Sequence, residues 1–155
     1  MNPVIYYHPE AYTTTGPKLM GRNAAGESFL RGFLKHSHST AFWAQVQRNE
    51  HGEHFAKQVK AVGRNEPIHC ITHHNLNALS QAGLVYHPGP GIGEHAFHRS
   101  LAGQSRSADN SLKSGHAAWS LCGITHTTSS AGAMDAISAL ITSPVQTWDA
   151  LICTS

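Results

Sequence analysis

Leu121-Cys122-Gly123-Ile124-Thr125-His126-Thr127 is a short apolar run that stops abruptly in polar, hydrogen-bonding residues. The same phrase recurs at Val4-Ile5-Tyr6-Tyr7-His8, Ile68-His69-Cys70-Ile71-Thr72-His73-His74, Leu84-Val85-Tyr86-His87 and Ala150-Leu151-Ile152-Cys153-Thr154-Ser155. Runs of this length, rich in Val, Ile and aromatic residues, read as strands covered on both faces. Strands of that kind build open parallel sheets, whose ligands sit just beyond the carboxyl ends. The polar residue falls at that edge each time, so the pattern outlines a binding crevice.

Between the runs, apolar residues recur at helical spacing. Phe29, Leu30, Phe33 and Leu34 form one stripe, closed by Lys35 and His36 in agreement with the helix dipole. Ala41–Gln47 reads as a further strand, and Phe55, Val59 and Val62 mark a second helix capped by Gly63. Leu76 and Leu79 predict a short third helix stopping at Gly83, and Ala96, Phe97 and Leu101 a fourth ending near Gly103. Met134, Ile137, Leu140 and Ile141 predict a fifth, which Ser143-Pro144 terminates. Strand and helix alternate from end to end, the order of an α/β fold with a largely parallel sheet and right-handed crossovers. Gln104–Ala118 breaks the rhythm and reads as a polar loop or insertion. The last strand stops where a crossover helix is due, so the sequence reads as part of something longer.

The 155 residues suit one domain, and the 40% hydrophobic and 13% charged fractions fit a compact fold. A formal charge of +2, without a basic block, gives no electrostatic case for a nucleic-acid or membrane partner. No apolar stretch is long enough to span a bilayer. Cys70, Cys122 and Cys153 each lie inside an apolar run and read as small core residues. With no CxxC pair and no secretory leader at Met1-Asn2-Pro3-Val4, they predict a reducing, cytoplasmic compartment.

Three stretches after strands carry candidate chemistry. Thr14–Asn23 nearly fits the Walker A spacing, but Arg22-Asn23 replace the Lys and Ser/Thr that a P-loop needs. Its glycines, the helix that follows, and Lys18 or Arg22 suit an anion as well as they suit a plain turn. Pro88-Gly89-Pro90-Gly91-Ile92-Gly93 lacks the spacing of the dinucleotide fingerprint and reads as a rigid turn. His126-Thr127-Thr128-Ser129-Ser130 enters the fifth helix, and capping explains its hydroxyls. Capping does not explain His126, whose imidazole at a strand tip suits proton transfer or polarisation of a hydroxyl.

The 13 histidines invite a metal reading through His51-x-x-His54, His95-x-x-His98 or His73-His74. Neither HxxH carries a zincin register, and aspartates are scarce, so the spacing predicts no metal site. His51, His54, His95 and His98 read as solvated helix residues.

Taken together, several blocks look like one family. They are Tyr6-Tyr7-His8-Pro9, Thr15–Gly26, Gly123–Thr127 with Ala133–Ile137, and Trp148–Ser155. In combination they resemble the amino-terminal half of bacterial GT-B glycosyltransferases of family 4, the glycogen-synthase-like "group 1" type. The resemblance spans nearly the whole chain apart from Gln104–Ala118. It implies Rossmann-like domains facing a cleft, the amino-terminal one holding a sugar or polysaccharide acceptor and the carboxyl-terminal one a nucleotide-sugar donor.

The resemblance also implies roles. Gly16, Lys18 and Gly21 map onto a loop that approaches the donor phosphates, and His126 onto the catalytic histidine. His8, His74, Thr127 and Thr128 would form the polar rim on the acceptor side. Hexosyl transfer with retention, no metal and no cofactor beyond the donor substrate is the family's usual behaviour. The family's donor-binding acidic motif and phosphate-binding basic residues belong to a second domain missing here, so this polypeptide alone is expected to be inactive. Two other readings of the residues stand beside it: a stand-alone α/β nucleotide-binding module, and a histidine-rich metalloenzyme dependent on His73 and His74.

Overall fold

The computed structural model describes residues 2–15, 20–102, 115–126, 128 and 130–154. Strand and helix alternate as β1 (Val4–Tyr7), α1 (Gly21–His36), β2 (Phe42–Val46), α2 (Asn49–Ala61) and β3 (Ile68–Thr72). A 3-10 segment (His73–Gln81) then leads to β4 (Leu84–Tyr86), α3 (Ile92–Leu101), β5 (Ser120–Thr125), α4 (Ala131–Ser138) and β6 (Ala150–Cys153). The six strands form one sheet in the order β3-β2-β1-β4-β5-β6, every neighbouring pair parallel. This is the Rossmann-like α/β arrangement, and the strand order reverses between β1 and β4.

Right-handed crossovers dictate the layers. The walk from β1 outward to β3 puts α1 and α2 on one face; the walk from β4 to β6 puts α3 on the other. Each face has its own core. Ile5, Tyr7, Phe42, Ala44 and Val46 meet Leu30 and Leu34 of α1 and Phe55 and Val59 of α2. Val4, Val85 and Leu121 meet Leu79 of the 3-10 segment, Ile92 and Ala96 of α3, and Trp119. The strict alternation along β2 and β5 follows from the two-residue repeat of a strand with one face covered more completely than the other. Gly63 and Gly83 take φ of 79° and 75°, the left-handed conformation that ends α2 and the 3-10 segment.

Several sequence expectations need correction. The third helix is a 3-10 segment kinked at Asn75, where φ is −131° and ψ is 49°. The cysteines are not core residues: Cys70 and Cys153 are exposed and Cys122 is half-buried. β3 and β6 are the two edges of the sheet, so an apolar run there is covered less than one at the centre. The stripe of the fifth helix is also largely exposed, with Met134 at 51% and Ile141, in the 3-10 turn after α4, at 87%. α4 connects β5 to an edge strand, and of its expected stripe Leu140 alone packs against a core cluster. The loop expected over Gln104–Ala118 lies mostly outside the described residues; its final part forms a 3-10 turn (Gly115–Ala117), and Ala118 is buried. Among the described residues no helix is long and apolar enough to cross a membrane.

Candidate functional site

Because all six strands are parallel, the residues following them share one edge of the sheet. His8 follows β1, Gln47 follows β2, His87 follows β4, His126 follows β5 and Thr154 follows β6. Adjacent strands lie about 4.8 Å apart, which sets the spacing along the row. β1 and β5 are two positions apart, so His8 and His126 are separated laterally by about 10 Å. His74 lies in the 3-10 segment that follows β3, the strand four positions from β5. The edge thus brings His8, His87 and His126 into one row, while His74 turns into the 3-10 segment and lines a groove with His98 and Leu101 of α3.

The frame around His126 is held by hydroxyls. Thr125 is buried; its Oγ1 donates to the Ile152 carbonyl at 3.4 Å and accepts from the Thr154 N–H at 3.4 Å. The Thr154 hydroxyl donates to the Thr125 carbonyl. Ser130 caps α4, its Oγ accepting from the Ala133 N–H at 3.2 Å. His126 is half-buried between these two fixtures, and Thr128 is exposed. Thr127 lies outside the described residues.

At β1, Asn23 ties the start of α1 to the strand tip. Its side-chain amide donates to the Glu10 carbonyl at 2.5 Å, and its oxygen accepts from the Met20 N–H at 3.2 Å. Gly21 is the first residue of α1, whose amino end faces the carboxyl edge, where the helix dipole favours an anion. Gly16 and Lys18 lie outside the described residues.

Imidazoles gather on both sides of the switch point. On the α2 side His8 stands edge-on to His51, ring centroids 4.6 Å apart, and the Tyr7 hydroxyl and His54 Nδ1 are 2.6 Å apart. Burial, followed by the charges of His8 and Arg48, pulls His51 below the ordinary imidazole range. Burial pushes the Tyr7 hydroxyl up.

On the α3 side, His87 is 4% exposed and stacks on His95 with centroids 3.8 Å apart. Tyr6 leans on both, at 5.0 and 5.2 Å. Among the described residues neither ring nitrogen of His87 has a hydrogen-bond partner. Burial, then the neighbouring His95, depresses His87 well below the usual range. Burial, then His98, lowers His95 to about 4 against a small opposing effect of Glu94. Reading His51, His54 and His95 as solvated helix residues is therefore corrected. The signal lay in α3 itself: Ile92, Ala96 and Arg99 are buried, and His95 shares that face at helical spacing.

Among the described residues no group of three or more His, Cys, Asp or Glu side chains is disposed to hold a metal ion. No protein-family model, no curated protein and no solved structure matches the chain.

Proposed function

We propose that this chain is the acceptor-side domain of a sugar transferase, moving a sugar from a nucleotide-sugar to an acceptor hydroxyl. One observation carries the reading: His126, half-buried at the tip of β5, stands on the same edge as the switch point between β1 and β4. An imidazole so placed polarises an acceptor hydroxyl or shuttles its proton, provided the acceptor lies within hydrogen-bond reach. His8 and Thr128 contribute polar contacts along that edge, with Thr127 between His126 and Thr128 in the chain. The amino end of α1, with Gly21, faces the donor phosphates; the family resemblance assigns Gly16 and Lys18 to the same role. A second domain of similar fold holds the nucleotide, and no resident metal or cofactor takes part.

A second reading, a nucleotide-binding module, draws on the strand order, which is that of dinucleotide-binding folds. Calorimetry with uridine diphosphate separates the two. The acceptor-side reading expects no tight complex with the chain alone. A tight one-to-one complex supports the nucleotide-binding module and removes the transferase reading.

A further inference from the structure

Away from the row of strand tips, the 3-10 segment and α3 bound a shallow groove of about 270 Å³. His74, Leu76, Asn77, His98, Leu101 and Ala102 line it. Leu76 and His98 are also walls of a smaller cavity of about 20 Å³, which reaches inward to Gln45, His87 and His95. A space of that size holds about one water-sized group.

The inner cavity has an unmet chemical demand. Neutral imidazole presents one N–H donor and one nitrogen acceptor, and on His87 both are buried without a partner among the described residues. Leaving them so costs free energy that an entering group recovers. A hydroxyl is of matching size to meet one of the two nitrogens, donating or accepting as the tautomer requires.

The groove outside sets the rest of the ligand. Its described lining offers amide and imidazole hydrogen bonds from Asn77 and His98 beside the apolar Leu76, Leu101 and Ala102. No Lys, Arg, Asp or Glu is among these described residues, so they themselves offer a phosphate or carboxylate no full counter-charge. A pyranose has this divided character, with an apolar C–H face and a rim of hydroxyls. We propose that the groove between the 3-10 segment and α3 is a binding site for a neutral pyranose. One of its hydroxyls, directly or through a water, reaches the cavity past His98 and pairs with one ring nitrogen of His87. This site uses side chains other than His126 and stands apart from the transferase reading.

The test is a histidine-resolved NMR titration with methyl α-D-glucopyranoside and methyl α-D-mannopyranoside, with inorganic phosphate as the charged control. Saturable shifts of His87 and His98 are expected with at least one glycoside and not with phosphate. Asn77→Ala weakens that binding about fivefold, the worth of one hydrogen bond. His98→Phe, at an exposed position, leaves the fold intact and abolishes the shift of His87. The proposal is overturned if neither glycoside moves His87 and His98, if phosphate moves them equally, or if both variants bind as the parent does. A shift of His126 in the same spectra reports on the transferase reading, so the two fail separately.

Discussion

The guanidinium of Arg99 grips the carboxylate of Asp149 with two hydrogen bonds, Nη1 to Oδ1 at 2.6 Å and Nη2 to Oδ2 at 2.7 Å. The two side chains are 0% and 3% exposed. Arg99 Nη1 also donates to the Trp119 carbonyl at 2.8 Å, and Asp149 accepts the Leu121 and Gln146 N–H groups, each at 2.8 Å. One ion pair thus joins α3, the entry to β5 and the loop before β6. Burial alone would raise the Asp149 carboxyl, but the bonds from Arg99, Gln146 and Leu121 hold it below the usual range.

Breaking that pair on one side leaves a buried charge uncompensated. Asp149→Asn is expected to cost about 3–5 kcal/mol in urea unfolding. The double variant Arg99→Met/Asp149→Leu is expected to recover much of it, because it removes both desolvation costs at once. Equal losses in the single and double variants would show that the pair acts through shape alone.

The stacked histidines make stability depend on pH. Above pH 6.5 both His87 and His95 are neutral, folded or unfolded. As pH falls below 6.5 the unfolded chain binds protons at these positions and the folded chain does not, so stability declines. For His95 the decline ends near pH 4, a total of about 3 kcal/mol. His87, depressed further, extends the loss to lower pH. Melting temperatures at pH 7 and pH 5 measure the effect, and His95→Phe should flatten it.

Gly123 gives β5 its close approach to the turn after β4. A Cβ there would come within 2.7 Å of the Gly89 carbonyl oxygen and of Ile92 Cγ2, and within 2.9 Å of Leu151 Cδ1. The backbone oxygen cannot move without breaking the bond it accepts from the Ile124 N–H at 3.1 Å. Gly123→Ala is expected to destabilise by about 1–3 kcal/mol, read as a shift in the denaturation midpoint.

Chemistry and frame at the tip of β5 are separable. Thr125→Val removes the hydroxyl that meets Ile152 and Thr154 and should cost about 1 kcal/mol of stability. His126→Ala should leave the thermal melt unchanged and abolish transfer once a donor-binding domain is supplied. A melt lowered by His126→Ala as much as by Thr125→Val would make the histidine a packing residue.

The parallel sheet was legible because its strands are apolar runs interrupted at helical spacing. Five runs and Ala41–Gln47 account for all six strands. Their polar ends were legible too, since a parallel sheet has no other place for them. Strand order was not, and with it went lateral distance: His74 and His126 read alike, yet lie at strands four positions apart. Burial at the edges was misread, because Cys70 and Cys153 occupy runs indistinguishable in composition from central ones. The stacked pair was missed for another reason. His95-x-x-His98 was weighed as a metal motif and then as surface, whereas the buried face of α3 takes in His95 and leaves His98 outside. Arg99 and Asp149 are 50 residues apart, a separation no local pattern bridges.

The most direct measurement is a histidine-resolved NMR titration read at the strand tips, with a panel of neutral glycosides and with uridine diphosphate. The account predicts that His8 and His126 shift together and saturably with the same glycoside, while the exposed His36 and His116 stay still. It is contradicted if His126 responds to no glycoside, or if uridine diphosphate alone moves both tips.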